Sequence, residues 1–455
     1  AYSGNTGGSQ GPHLHFEIYD TKSEKRLNPL LFDFSLKDDV APDLVRLAVY
    51  DRNKSVYEGS PLFYSLKKTD SGYIIPKIPI IKTASSRVSF AIQTYDRLSG
   101  STNPNGIYAA TLYSDGEPQL RFVLDSIDYR ETVYMNAHVD YKLRYNGGAF
   151  VQHLSKLPGN HGSMYRKIKS DGVVELTDTT PRLISIIVED ASGNSSKLSF
   201  TIQRDDSLNI IYGHTPGVTR FSPGMVNVLS KPGFEFYLSQ NSLYDTVSPV
   251  YFVTATASPY AFTDQHRAGD PSVPLHDDAL VRIKLNKPVP AEWQDKLLIQ
   301  RTDNKGGNVR KAIWQEQWVS ARFGSFGTYQ VVADVLPPSI NDLGKGDTIN
   351  LSAAKQIVFT PTDNFGIKSF RAELNGRWLR FTNDKSRNWI YKFDDRCPYG
   401  VHHLKVTVED LAGNSTQKEW WFKREPYTPP PKKKKVTKAS SKKSAPAKKQ
   451  PGRKN

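Results

Sequence analysis

Cysteine and long apolar runs are scarce in this chain of 455 residues. The single cysteine, Cys397, excludes an intramolecular disulfide, and so cysteine-poor a chain fits a bacterial envelope protein without excluding a cytosolic one. No apolar run approaches the roughly 18 residues that a membrane-spanning helix needs, so we expect no transmembrane segment. No long segment keeps a helical apolar period, which argues against a helical fold.

Instead of helical segments, the chain contains many short runs rich in Val, Ile, Tyr, Phe and Thr. Residues 44–50 and 88–95 are two examples, and Gly, Asn, Asp and Pro bound such runs. Short strands between regular turn signals predict a mainly β fold made of several β-sandwich modules, which resemble immunoglobulin-like domains.

An internal repeat supports this prediction. Residues 184–195 and 404–415 both read as a strand followed by a Glu-Asp-x-x-Gly-Asn turn, and residues 94–101 are a weaker third copy. Asp and Asn favour turns and Gly supplies a positive φ, so we expect hairpins here. Calcium binding by these Asp and Asn residues is the alternative, although the spacing of an EF-hand loop is absent.

Turn-rich linkers and shifts in charge divide the chain into modules. The predicted order is a short remnant of a truncated domain at 1–36, one or two immunoglobulin-like units at 40–204, a β-rich module at 205–334, an immunoglobulin-like sandwich at 335–424 and a disordered Lys/Pro-rich tail at 425–455.

The basic character of the chain belongs to its tail. Residues 426–455 carry eleven Lys or Arg and no Asp or Glu, which leaves 50 basic and 46 acidic residues elsewhere. Such a polycation suits anionic envelope polymers, or it is a solvated segment without a specific partner. No aromatic interleaving or nucleic-acid-binding fold accompanies it, so we expect no nucleic acid as a partner.

The most specific functional signal lies at the start of the chain. His13, His15 and Glu17 alternate with apolar residues that include Phe16 and Ile18. Alternate residues of a strand share one face, so the two imidazoles would point into one polar site while the apolar set faces a core. Neutral imidazole is a common zinc ligand.

The segment from Ser3 to Ile18, with its Gly-Pro-His-Leu-His-Phe-Glu core, resembles the closing motif of the M23 (LytM/lysostaphin-type) zinc metallopeptidases. The Leu-Asn-Pro-Leu-Leu run at 27–31 resembles the segment that ends those domains. By this resemblance His15 is a zinc ligand and His13 a catalytic residue beside the metal. Glu17 is then either a hydrogen-bond partner that orients an imidazole or a solvated charge.

The resemblance implies zinc-dependent hydrolysis of peptidoglycan peptides in a periplasmic or secreted bacterial protein. The His-x-x-x-Asp that supplies the other two zinc ligands of that family is absent here, so we expect a truncated domain that is inactive alone. The alternative is a non-enzymatic envelope scaffold or binding protein with a degenerate M23-like domain.

Aromatic-rich β-modules also suggest carbohydrate binding, but core packing is the expected role of most tryptophans. Trp420 and Trp421 are neighbours on a predicted strand, so one should face outward and is the better surface candidate. The remaining histidines are expected at the surface or in turns: His138, His153, His161, His214, His266, His276, His402 and His403.

Overall fold

A computed structural model describes residues 16–208, 219–383 and 387–428. It confirms the mainly β fold with several sandwiches. By compactness the chain divides into two units. Unit 1 extends as far as Pro338 and adds Thr362–Ser369 and Glu409–Ser415, and unit 2 contains the rest. Within the described ranges no helix has the length and apolar character to cross a membrane.

Unit 1 begins with two short strands, β1 (Ile18–Asp20) and β2 (Lys25–Leu27), and a 3₁₀ turn at Pro29–Leu31. The Asn28 side chain accepts a hydrogen bond from Leu30 N at 3.0 Å and donates one to Leu124 O at 3.0 Å. The Asn-Pro segment therefore attaches this part of the chain to the first sandwich.

The first sandwich follows, with two one-turn helices, α1 (Met135–His138) and α2 (Tyr141–Tyr145), and a 3₁₀ turn at Tyr129–Tyr134. Its strands are β3 (Asp43–Asp51), β4 (Leu62–Ser65), β5 (Lys67–Thr69), β6 (Gly72–Ile74), β7 (Ile80–Thr83), β8 (Arg87–Tyr95), β9 (Ala109–Ser114), β10 (Glu117–Val123), β12 (Gln152–His153), β13 (Tyr165–Lys167), β14 (Val174–Glu175), β15 (Arg182–Glu189) and β16 (Ser195–Arg204). Strand β11 (Ser126–Ile127) follows β10 in the chain but pairs with β2, so β1, β2 and β11 form a separate three-stranded sheet.

Two sheets of this sandwich enclose a core. One has the order β13-β10-β9-β15-β16-β6-β5 with β7 also paired to β16, and the other has the order β12-β8-β3-β4 with β14 paired to β8. Ile184, Ile186 and Val188 on β15 are fully buried, whereas the residues between them are only partly buried. This alternation is what one buried sheet face requires.

The second sandwich contains two five-stranded sheets, with orders β17-β18-β21-β25-β24 and β19-β20-β26-β22-β23. A 3₁₀ turn at Ala291–Lys296 precedes β22. Its strands are β17 (Asn227–Lys231), β18 (Phe234–Leu238), β19 (Tyr251–Thr254), β20 (Gln265–Ala268), β21 (Pro274–Lys284), β22 (Leu297–Asp303), β23 (Gly306–Lys311), β24 (Ile313–Gln315), β25 (Trp318–Ser325) and β26 (Gly327–Ala333).

The two sandwiches of unit 1 share one apolar core. Tyr50, Val56 and Tyr57 of the first belong to the same buried cluster as Phe234 and Tyr329 of the second. Burial of large side chains across a boundary fixes the neighbours in place, because each buried aromatic or branched side chain contributes about 1.5–3 kcal/mol.

The last sandwich has a five-stranded sheet, β27-β34-β33-β29-β30, and a three-stranded sheet, β28-β32-β31. In unit 2 the rings of Phe359, Phe370, Phe381 and Tyr391 pack against one another. The strands are β27 (Thr348–Asn350), β28 (Gln356–Phe359), β29 (Ile367–Leu374), β30 (Arg377–Leu379), β31 (Thr382–Asn383), β32 (Trp389–Lys392), β33 (Gly400–Asp410) and β34 (Ser415–Arg424).

Both Glu-Asp-x-x-Gly-Asn segments form the predicted hairpins. β15 pairs antiparallel with β16, with Glu189 opposite Ser195, and β33 lies beside β34. Gly193 and Gly413 have φ of 92° and 82°, which a side chain would disfavour. The module boundaries stay predictions, and the tail from residue 429 onwards lies outside the described residues.

Candidate functional site

Three aspartates from distant parts of the chain meet beside the first sandwich. Asp38 lies in the linker before β3, Asp96 directly follows β8, and Asp190 directly follows β15. Each offers a carboxylate oxygen, and these oxygens lie within 4.8 Å of one another. We call this group triad 1.

A second group repeats the arrangement with different residues. Asp334 directly follows β26, Asp363 lies between β28 and β29, and Asp410 ends β33. Their carboxylate oxygens also lie within 4.8 Å of one another. All three residues belong to unit 1, and we call this group triad 2.

The asparagine of each Glu-Asp-x-x-Gly-Asn turn connects the triad to the linker. In triad 1, Asn194 Nδ2 donates to Asp190 Oδ2 at 2.8 Å and to the backbone oxygen of Asp38 at 3.1 Å. Asn414 makes the matching pair of hydrogen bonds in triad 2, at 2.8 and 2.9 Å. The motif therefore shapes a turn and also holds the linker aspartate beside the turn aspartate.

Loop N–H groups orient the carboxylates of triad 1. Asp38 Oδ1 accepts hydrogen bonds from Ser99 N at 3.1 Å and from Val40 N at 3.2 Å. Asp190 Oδ1 accepts from Ser192 N at 2.9 Å. These bonds restrict rotation of the carboxylates, so the cluster is fixed by its own loops.

The like charges of a triad are held where water screens them little. Burial, with the neighbouring carboxylates of Asp190 and Asp38, raises the pKa of Asp96 from 3.8 to about 6. Burial and two like charges also raise the pKa of Asp334. At about 4.8 Å and an effective dielectric constant of about 20, each pair of carboxylates repels by about 3–4 kcal/mol.

The triads offer an all-oxygen donor set. Within the described ranges no ion pair joins a Lys or Arg to any of the six carboxylates. The Lys311 ammonium donates to Ala412 O in the turn of triad 2 at 2.8 Å and interacts with Asp410 electrostatically. Hard divalent cations such as calcium and magnesium take carboxylate and carbonyl oxygens, whereas zinc is bound largely by nitrogen and sulfur. The triads therefore differ in kind from the histidine site that the sequence suggests.

An exposed aromatic surface lies on the outer side of the five-stranded sheet of unit 2. Trp421 on β34 is 52% exposed, and its ring centroid lies 4.8 Å from that of His403 on β33. His403 Nε2 lies 3.0 Å from Glu419 Oε2. Trp378 on β30 is 62% exposed and pairs with Glu373 on the same side, since the alternate residues of these strands are buried. We call this surface the aromatic face.

The predicted zinc-site residues are described only in part. His13 and His15 lie outside the described residues, so zinc binding by His15 and a catalytic role for His13 stay predictions. Glu17 is described, and its carboxylate accepts hydrogen bonds from Arg26 Nε at 3.2 Å and from Tyr129 Oη at 3.2 Å. Its observed contacts include a partly exposed ion pair with Arg26, whose side chain is 31% exposed and that of Glu17 33%.

The apolar residues of the N-terminal motif do not form the expected core face in the described segment. Phe16 is 58% exposed and meets Phe34 edge-on, with ring centroids 5.6 Å apart. Strands β1 and β2 contain no buried residue. Three short strands present too little apolar surface to enclose a core.

Several histidines differ from their expected surface positions. Four of them are buried: His138, His153, His266 and His402. His138 Nδ1 lies 2.9 Å from Tyr165 Oη and its Nε2 lies 3.0 Å from Gln152 Oε1. Burial lowers the pKa of His138 to about 4. Both ring nitrogens of His138 are thus satisfied within the core, whereas His153 Nδ1 is buried without a hydrogen-bond partner.

The turn motifs in the sequence mark three of the six triad aspartates but do not indicate that the triads assemble. The repeated Glu-Asp-x-x-Gly-Asn turns mark Asp190 and Asp410, and the weaker third copy marks Asp96. The linker aspartates Asp38 and Asp334 carry no motif. Only the fold brings them to the turns.

Solved structures of several β-module proteins match this chain at low sequence identity. Fibronectin(III)-like modules of Clostridium thermocellum CbhA match at 6% identity and a TM-score of 0.14, over 79% of this chain and 93% of that one. Bacteroides ovatus SGBP-B, solved with a mixed-linkage heptasaccharide, matches at 10% identity and a TM-score of 0.15, over 86% of this chain and 71% of that one. A tetra-tandem repeat of a large adhesion protein matches at 11% identity and a TM-score of 0.20, over 76% of this chain and 74% of that one. All three TM-scores lie far below 0.5, so these matches carry no argument about fold or function.

Comparison with protein families overturns the peptidase interpretation. The family model that matches is that of a Zu5-like domain, over residues 219–334, and no M23 peptidase model matches. No curated protein matches the chain. The assignment to the M23 peptidases and the description as a hydrolase are therefore wrong, and the described residues of the motif lead into β1 of the partly exposed three-stranded sheet β1-β2-β11. Residues 219–334, the second sandwich, are similar to a Zu5-like domain.

Proposed function

We propose that this chain is a non-enzymatic scaffold or binding protein of a bacterial cell envelope, and that its aromatic face binds the glycan strands of peptidoglycan. The observation that carries the proposal is the exposure of two indoles, Trp421 and Trp378, on the same side of one sheet. Large aromatic side chains usually lie in sandwich interiors, so two exposed indoles on one face indicate a ligand-binding surface.

The chemistry of the face suits a sugar polymer. An indole offers a flat apolar surface to the C–H side of a sugar ring, and such a contact keeps water out. Polar groups lie beside the rings, with Lys405 on β33 and Glu373 on β29 on the same side of the sheet. These groups supply donors and acceptors for the hydroxyls at the rim of each ring.

The spacing favours an extended ligand. Three strand-to-strand steps separate β34 from β30 in the sheet, which places the two indoles about 14 Å apart across the strands. A single sugar cannot contact both rings at that separation. An oligosaccharide lying across the strands can, so the face is suited to a polymer.

Sedimentation with purified peptidoglycan sacculi tests the proposal. We expect the full chain to sediment with sacculi, and Trp421→Ala and Trp378→Ala to raise the Kd at least tenfold, about 1.4 kcal/mol each. Trp314→Ala is the matched control, because Trp314 is also exposed, at 38%, but lies on β24 in another sheet. Circular dichroism checks that each variant is folded.

Two results would contradict the proposal. Equal binding by the wild type and both face variants would exclude the aromatic face, and no binding by the wild type would exclude peptidoglycan as the partner. Release of soluble muropeptides in the same tubes, with zinc added, would contradict the non-enzymatic assignment. Cell fractionation of a tagged chain tests the envelope location separately.

A further inference from the structure

Triad 1 leaves carboxylate oxygens buried without a hydrogen-bond donor. Asp96 is 3% exposed, and its Oδ1 has no partner. Asp38 Oδ2 is also buried without a hydrogen-bond partner, whereas Asp38 Oδ1 accepts hydrogen bonds from loop N–H groups. Buried carboxylate oxygens are expensive when nothing compensates them, so these atoms indicate a missing positive ligand.

Triad 2 shows the same deficiency at corresponding positions. Asp334 is 1% exposed, and its Oδ2 has no partner. Asp363 Oδ1 also lacks one, although Asp363 Oδ2 accepts from Phe365 N and Gly366 N, both at 2.8 Å. In each triad, two aspartates therefore have one carboxylate oxygen that no protein group binds. They are Asp38 and Asp96 in triad 1, and Asp334 and Asp363 in triad 2.

We propose that triad 1 and triad 2 are two binding sites for calcium, one ion in each. Three carboxylates with oxygens within 4.8 Å of one another can surround a single ion, since calcium–oxygen distances are about 2.3–2.6 Å. Calcium accepts six to eight oxygens in flexible geometry, which suits ligands drawn from separate loops. Magnesium demands a near-ideal octahedron and retains its waters, so it fits such a cluster less well.

The bound ion ties together segments that are far apart in the chain. In triad 1 it joins the linker at Asp38 to the ends of β8 and β15, where it replaces like-charge repulsion by attraction to a common cation. Calcium binding should therefore stabilise unit 1 against unfolding. This inference does not depend on the aromatic face, which belongs to unit 2.

Isothermal titration of the chelator-stripped full chain with CaCl₂ tests the proposal. We expect two calcium ions per wild-type chain, one ion each for Asp96→Asn and Asp363→Asn, and none for the double variant. Asp178→Asn is the matched control, because Asp178 is an exposed aspartate that caps a turn by accepting from Thr180 N at 2.8 Å. The Asp178→Asn variant should bind two calcium ions, as the wild type does.

Thermal unfolding separates ion binding from a structural role. With calcium, the wild type should gain about 2–5 °C in Tm over its value in EDTA, and the double variant should gain nothing. In EDTA alone, Asp96→Asn should leave the Tm unchanged or raise it, because it removes a like charge. If the aspartate had a purely structural role, its replacement would lower the Tm equally with calcium and in EDTA.

Several outcomes would overturn the assignment. Titration without heat or a Tm shift at millimolar CaCl₂, or two ions still bound by the double variant, would exclude the triads as calcium sites. Equal or tighter binding of MgCl₂ would overturn the choice of ion. Loss of sacculus binding with intact calcium binding would affect the proposed function alone.

Discussion

A buried ion pair between the two sandwiches of unit 1 gives a sharp test of how they are held together. Arg52 Nη1 lies 2.7 Å from Asp245 Oδ2, and the two side chains are only 8% and 7% exposed. Asp245 Oδ2 also accepts from Val56 N at 3.2 Å. Arg52 Nε is buried without a partner. The pair is therefore closely coupled, and the guanidinium depends on this one carboxylate for its compensation.

Asp245→Ala should be strongly destabilising. It leaves the Arg52 guanidinium buried and uncompensated and removes the acceptor of a buried N–H group. Removing one partner of a buried pair costs about 3–5 kcal/mol, a large share of the 5–15 kcal/mol that stabilises typical domains. Replacing both charges, as in Arg52→Met with Asp245→Leu, should cost about 2 kcal/mol less than Asp245→Ala, because no buried charge is left.

Equilibrium unfolding in urea measures these differences. The matched control is Glu175→Ala, which breaks an ion pair of similar length, 2.9 Å, between side chains that are 47% and 55% exposed. It should cost less than about 1 kcal/mol. The reasoning fails if Asp245→Ala costs no more than this control, or if the double replacement is less stable than the single one.

Two further predictions concern the first sandwich. Burial lowers the pKa of His138 to about 4 and that of His153 to about 3. The unfolded chain binds these protons below pH 6.5 and the folded chain does not, so the free energy of unfolding should fall between about pH 6.5 and pH 4, by about 3 kcal/mol for His138. Urea unfolding across this range should show a flatter slope for His138→Gln. Gly172→Ala should cost about 3 kcal/mol or more, because φ is +88° and the added Cβ would lie 2.1 Å from Leu154 O. Gly147→Ala, at φ +82° with nothing within 4 Å, should cost only about 1–2 kcal/mol in thermal or urea unfolding.

Local features of the fold could be predicted from the sequence. The two Glu-Asp-x-x-Gly-Asn hairpins form as predicted, because Asp, Asn and Gly set turn geometry over a few residues. Strand parity correctly required one of Trp420 and Trp421 to face outward. Trp421 is exposed, and Trp420 packs inward on Phe359 with centroids 5.1 Å apart.

Features that depend on distant contacts could not be predicted. His138 is buried because Tyr165 and Gln152, far along the chain, satisfy both ring nitrogens. Core packing is the expected role of most tryptophans, yet Trp378 lies opposite Glu373 on the open side of its sheet. The peptidase interpretation rested on a short motif, and the family comparison does not support it.

The triads show how the same limit applies to a site. Turn propensity explains why aspartate follows β15 and ends β33, but not why a third carboxylate meets each turn. Asp38 and Asp334 arrive through linkers whose residues differ, Val-Ala-Pro against Val-Leu-Pro-Pro. The asparagine of each turn binds the backbone oxygen of the linker aspartate, so the carboxylate geometry can match although the linker residues differ.

The expected strength of the calcium sites determines how the chain should behave without calcium. Extracellular modules bind calcium with Kd of about 10⁻⁴–10⁻³ M. At about 1 mM calcium, one such site stabilises the folded state by RT ln(1 + [Ca]/Kd), which is about 0.4–1.4 kcal/mol. Two sites then contribute about 3 kcal/mol at most, less than the stability of a typical domain. The chain should therefore stay folded in EDTA and lose stability gradually as calcium is removed, which is why the aspartate variants can be compared in both conditions. A chain that unfolds completely on chelation would show that the ions form part of its core rather than reinforce its loops.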